Sequence, residues 1–119
     1  GGVERSQIVL GGFSQGACLA AEYVVRNPAR YGGLLVFSGA LIGPPDQSRR
    51  PDGDLDKTPV FIGGSDVDPW IAHKLLVEAA RVLESMGGEV DFQTYPGMGH
   101  TINHDQITRA KHLLENINT

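Results

Sequence analysis

The sequence has one cysteine, one tryptophan and no excess of basic charge. A lone Cys18 excludes an intrachain disulfide and leaves the redox compartment open. Lysine and arginine number 10 against 14 aspartates and glutamates, a formal net charge of −4. That balance argues against nucleic acid or an anionic membrane as the main partner. The longest apolar run, Gly32 to Gly43, is shorter than the about 20 residues that cross a bilayer, so no stable membrane insertion is expected. There is no secretory signal pattern, and a cytoplasmic location is the expectation. The chain opens Gly1-Gly2-Val3 without an initiator methionine, as at a cleavage point or an internal position of a longer protein. Repeats and low-complexity tracts are absent. What remains, 119 residues at 40% hydrophobic and 20% charged, fits one globular domain over 1–119.

Apolar patterning divides the chain into alternating elements. Ser6 to Gly12 reads as a buried strand through Ile8, Val9 and Leu10. Ser14 to Arg26 reads as a helix packing through Ala17, Ala20, Ala21, Val24 and Val25, and Asn27-Pro28 ends it. Gly33 to Ser38 is a second strand. Residues 43–57, rich in Pro, Asp and Gly, read as a surface loop in which Arg49 and Arg50 are solvated. Pro59 to Gly63 is a third strand. Pro69 to Met86 reads as an amphipathic helix whose inner face is Ile71, Leu75, Ala79, Val82, Leu83 and Met86. Glu89 to Tyr95 alternates as a half-exposed edge strand. Asn103 to Asn116 is a final helix with Asn103 as cap, Gln106 at the capping-box position, and a stripe of Ile107, Ala110, Leu114 and Ile117. This order predicts an α/β fold, about four parallel strands with helices on both faces, and functional loops at the strands' carboxyl ends.

Three such loops carry reactive side chains. Gly12-Phe13-Ser14-Gln15-Gly16 lies between the first strand and the first helix, the arrangement that holds a serine hydroxyl clear of a sheet on a strained turn. Flanking glycines are expected to let strand and helix pass closely. His100 ends Tyr95-Pro96-Gly97-Met98-Gly99-His100, a tight loop suited to turning an imidazole over the sheet as the base for Ser14. Asp66 and Asp68, after the third strand, are alternative acids to orient His100, with Asp68 preferred. Asp68 also suits a helix cap before Pro69, and Asp66 a turn. Trp70 covers the expected helix start or walls the acyl or alcohol pocket, for which Met98 is the second candidate. His100 and His104 have no helix-borne glutamate between them, so no metal is expected. His73 and His112 read as solvated, and Cys18 as a small packing residue. The chain order Ser, Asp, His is that of α/β-hydrolase triads.

Residues Ile8 to Ala17, the Asp68-Pro69 segment and Tyr95 to His100 together resemble the phospholipase/carboxylesterase family of α/β hydrolases, which includes bacterial carboxylesterases and acyl-protein thioesterases. The likeness covers essentially the whole chain. It implies the C-terminal half of an α/β-hydrolase fold, with Ser14 as nucleophile, His100 as base, Asp68 as acid and the Gln15 N–H as one oxyanion donor. It also implies a small-molecule ester as substrate and no metal or organic cofactor. In the family the second oxyanion donor comes from a loop in an N-terminal half, and nothing in this chain matches that loop. The strand over residues 7–12 would then be an unpaired edge, expected to recruit a complementary N-terminal half or a second copy of the chain. The rival expectations are a dienelactone-hydrolase-like or C–C hydrolase of the same fold, and a non-catalytic half-domain.

Overall fold

A computed structural model describes residues 4–41 and 53–115. Among them, a turn of 3-10 helix at Arg5–Gln7 leads into β1 (Val9–Phe13), α1 (Gln15–Arg26), β2 (Gly33–Phe37), β3 (Pro59–Ser65), α2 (His73–Ser85), β4 (Glu89–Tyr95) and α3 (His104–Glu115). The four strands form one sheet in the order β1-β2-β3-β4, every pair parallel. This is the expected α/β architecture, with the sequence order of strands preserved in space.

Strand alternation sorts the side chains into two layers. Leu34, Val36, Val60 and Ile62 are fully buried on the face shared with α1 and α2, where they meet Ala17, Ala21, Val24, Leu76, Ala79 and Leu83. Phe37 and Phe61 lie on the opposite face, their ring centroids 5.6 Å apart. There α3 covers the sheet. A Cβ on Gly33 would meet Leu113 Cδ2 at 2.7 Å, and one on Gly63 would meet Gln106 Oε1 at 2.5 Å.

Several elements depart from the sequence reading. The first strand starts at Val9 rather than Ser6, because the Gln7 and Ile8 amides donate to the Glu4 and Arg5 carbonyls and close a 3-10 turn. It is half-exposed rather than buried, since among the described residues it has a neighbouring strand on one side only. The second helix starts at His73, not Pro69; residues 66–72 are a turn built on Asp68. The inner face of α2 is Leu76, Ala79, Ala80 and Leu83, with Leu75 and Val82 half-buried beside it. The stripe on α3 is rotated as well. Gln106 and Ala110 are buried, while Ile107 is 40% and Leu114 39% exposed. Asn103 does cap α3, its Oδ1 accepting the Gln106 N–H at 2.9 Å. The Gln106 side chain does not complete a capping box: it lies buried against Gly63.

Of the expected surface loop, residues 42–52 with Arg49 and Arg50 lie outside the described residues, as does Ile117. In its described end Asp54, Asp56 and Lys57 are exposed as expected, but Leu55 is fully buried, fixed by its amide to the Met86 carbonyl at 2.7 Å and by Lys57 N–H to Gly87 O at 2.8 Å. His73 is not solvated either; its Nε2 lies 2.9 Å from Thr94 Oγ1 and its ring stacks on Phe92. Among the described residues no helix is long and apolar enough to cross a membrane.

Candidate active site

The site begins with a backbone constraint. Ser14, between β1 and α1, has φ 59° and ψ −119°, a conformation that an L-residue occupies only when its surroundings impose it. Those surroundings are visible. The Ser14 amide donates to the Phe37 carbonyl at 2.9 Å, and the Ser14 carbonyl accepts the Cys18 amide at 3.1 Å. The turn is therefore fastened to β2 on one side and to its own helix on the other.

Gly12 lets strand and helix meet at this turn. A Cβ there would fall 2.5 Å from the Gly16 carbonyl carbon and 2.8 Å from the Ala17 nitrogen. The two glycines are not equivalent, because a Cβ on Gly16 itself would meet nothing within 4 Å. Gly12→Ala is expected to push α1 off β1 and cost about 1–3 kcal/mol, the usual range for overpacking. Gly16→Ala is expected to be neutral or stabilising, since alanine is the better helix former. Thermal melts of the two variants check this, with a drop of several degrees expected for the first alone. Gly39 was missed from the sequence. Its Cβ would lie 2.5 Å from Ala17 Cβ and 3.1 Å from the Ser14 carbonyl, so it makes room beneath the turn. Its only sequence signal is its place after a strand, in Ser38-Gly39.

The second loop, after β3, presents Asp68. Its side chain is 1% exposed. Oδ1 accepts the amides of Trp70 at 2.8 Å and Ile71 at 3.3 Å, which leaves Oδ2 for the Nδ1 of His100 at 2.6 Å. Burial pushes this carboxyl up, but the hydrogen bonds from His100 and from the two backbone amides outweigh it and hold the pKa below the usual carboxylate value. Asp66 is elsewhere: it is exposed, and its Oδ1 accepts the Gly97 amide at 2.9 Å. It clasps the Asp68 turn to the loop after β4, where Gly97 has φ 72°.

That third loop carries His100. With Nδ1–H donated to a carboxylate, Nε2 is left as an acceptor, and it stands 2.7 Å from Ser14 Oγ. Ser14, His100 and Asp68, in the chain order Ser, Asp, His with 86 positions between the first and the last, are thus joined by two short hydrogen bonds. The loop is held at both ends. Ser38, buried and at φ 54°, donates from Oγ to the Thr101 carbonyl at 3.3 Å, and was not singled out from the sequence. On the far side, Tyr95 donates its hydroxyl to Asp105 at 2.7 Å, and Arg109 bridges Asp105 and Asp91. Burial, then the Asp105 carboxylate, raises the Tyr95 pKa well above its ordinary value, so the hydroxyl stays a donor.

Of the other residues singled out, Gln15 opens α1, where its N–H has no intrahelical acceptor. Trp70 is 75% exposed, its ring centroid 6.4 Å from that of His100. Met98 is half-buried in the His100 loop. Cys18 is buried, with Sγ 3.5 Å from the Ala40 amide. His104 and His112 are exposed on α3. Among the described residues no three His, Cys, Asp or Glu side chains gather into a metal-binding group. Two open hollows of about 490 and 640 Å³ lie along α2, lined by Val77 and Arg81 in common, and neither touches Ser14 or His100.

Comparison with known proteins identifies the family and the fold. The chain is 33% identical over 108 residues to acyl-protein thioesterase 1 of Saccharomyces cerevisiae, covering 89% of this chain and 48% of the yeast protein. It is 29% identical over 107 residues to a probable carboxylesterase of Arabidopsis thaliana, covering 90% of this chain and 41% of that protein. Among solved structures, a phospholipase/carboxylesterase from Dyadobacter fermentans superposes with a TM-score of 0.86 at 38% identity, covering 99% of this chain and 55% of the other. The chain spans about half the length of the curated relatives it matches. The phospholipase/carboxylesterase family profile matches residues 1–118, and the chain belongs to that family.

Proposed function

We propose that this protein is a serine-dependent carboxylic ester hydrolase working through an acyl-enzyme on Ser14. The observation that carries this reading is the pair of hydrogen bonds Ser14 Oγ to His100 Nε2 at 2.7 Å and His100 Nδ1 to Asp68 Oδ2 at 2.6 Å. In the first half-reaction Oγ attacks the ester carbonyl while its proton passes to Nε2. The buried Asp68 carboxylate stabilises the resulting imidazolium and fixes the ring's tautomer. The carbonyl oxygen gains negative charge, for which the Gln15 N–H is one donor. Collapse of the tetrahedral species expels the alcohol, which takes the proton from Nε2. Water repeats the sequence, releasing the acid and restoring Ser14. Small or medium acyl esters are the primary substrates, and the name of the yeast relative brings thioesters in as a second class.

A complementary segment belongs to this proposal. β1 leads into Ser14 yet stands at the edge of the sheet, with no strand paired to its outer side among the described residues. A further strand pairing there, from an N-terminal half or a second copy, would cover the edge and bring the second oxyanion donor beside Ser14. Removing one such donor costs about 10²–10³ in rate in other serine hydrolases. The reading that competes is a half-domain without activity of its own. Hydrolysis of p-nitrophenyl acetate by the chain decides between them: turnover that disappears in Ser14→Ala supports the hydrolase, and a rate equal to that variant's contradicts it.

A further inference from the structure

The only tryptophan of the chain is spent on an exposed position beside the reactive histidine. Trp70 leaves 75% of its surface to solvent, although an indole is among the side chains with most to gain from burial. Nothing in its backbone role requires that ring. The Trp70 amide donates to Asp68, and any residue but proline supplies an amide. On the same imidazole, Phe13 is 40% exposed with its centroid 4.9 Å from that of His100 and a 41° tilt. Two aromatic rings, one at the end of β1 and one in the loop after β3, both open to solvent, therefore flank one imidazole.

Their place relative to the chemistry selects what they touch. Resting on the hydrolase reading, the oxygen that leaves in the first half-reaction takes its proton from His100 Nε2, so it must come within hydrogen-bond reach of that atom. The group attached to that oxygen is the part of the substrate nearest the imidazole's flanks. Rings at 4.5–7 Å centroid separation are at the distance where aromatic pairs attract, and an apolar leaving group would remove both exposed faces from water. We infer that Trp70, seconded by Phe13, is a specificity-determining residue that selects esters with an aromatic or bulky apolar leaving group over those of small alcohols.

The test uses phenyl and methyl butyrate, which share an acyl group and differ in what leaves. The aryl-to-methyl ratio of kcat/KM is expected to fall about tenfold in Trp70→Ala, the scale of one lost apolar face, and to hold within about threefold in Trp70→Phe. Dividing by the methyl ester cancels any general damage to the site. A second readout needs no turnover. Because Trp70 is the sole tryptophan, emission excited at its absorption edge reports that ring alone. Titrating the Ser14→Ala chain with phenyl butyrate is expected to shift or quench the emission saturably, and methyl butyrate is not. An unchanged ratio in Trp70→Ala, or an emission spectrum indifferent to the aryl ester, overturns the assignment. If the unmodified chain cleaves neither ester, the hydrolase reading fails and the emission titration still decides on Trp70.

Discussion

Ser14→Ala is expected to lower ester turnover by about 10⁴–10⁶, the loss seen when the nucleophile of a serine hydrolase is removed. The size follows from the division of labour. Without Oγ no acyl-enzyme forms, and His100 and Asp68 have no proton to move, so most of the advantage vanishes in one step. The same residue allows a control for folding. Ser14 holds φ 59°, which alanine also finds costly and glycine does not. Ser14→Gly is therefore expected to lose activity equally while melting above Ser14→Ala. Steady-state kinetics with p-nitrophenyl acetate and thermal melts of both variants measure this. Activity retained in either variant would place the nucleophile elsewhere.

Asp68→Asn is expected to cost about 10⁴ in kcat with little change in the ground-state fold. The asparagine keeps a carbonyl oxygen that can accept the Trp70 amide, but it carries no charge to balance the imidazolium. Its amide can also hold His100 with Nε2 as the protonated nitrogen, the wrong tautomer for accepting the Ser14 proton. The pH dependence of stability has a definite sign. The folded pKa of Asp68 lies below its unfolded value, because hydrogen bonds from His100, Trp70 and Ile71 outweigh the cost of burial. The carboxylate thus stabilises the fold above the unfolded pKa of about 3.9, and this contribution is lost as pH falls through the folded value. Melting temperatures across the acid range should fall less steeply in Asp68→Asn than in the parent chain. An equally steep fall would mean that other carboxylates govern acid unfolding.

Much of this was legible in the sequence because short-range chemistry decided it. Ser14 is marked by glycines on a strand-to-helix turn, and His100 by a tight loop in which Pro96 fixes its own φ and Gly97 adopts a φ of 72°. The parallel sheet follows from alternating apolar strands and helices. What was not legible depends on atoms distant in sequence. The start of α2 shifted from Pro69 to His73 because Asp68 directs one oxygen to its own turn and the other to a histidine 32 residues away, which fixes residues 68–71 as a turn. The α3 stripe was misassigned because Gln106, polar by composition, lies inside over Gly63, while Ile107 points outward. Ser38 and Gly39 gave no pattern of their own; their importance comes from Thr101, Ala17 and Ser14 arriving beside them. The choice between Asp66 and Asp68 turned on two residues' difference in a turn, and the structure gives them separate partners, Gly97 and His100.

Whether Ser14 is an activated nucleophile is read most directly from the intact mass of the chain after incubation with a fluorophosphonate. The phosphorus is attacked by Oγ, fluoride leaves, and the proton goes to His100, so labelling reads activation without requiring the full hydrolytic cycle. One adduct per chain is expected, absent in Ser14→Ala and markedly slower to form in Asp68→Asn. An unlabelled parent chain, or an adduct that persists in Ser14→Ala, would contradict this role for Ser14.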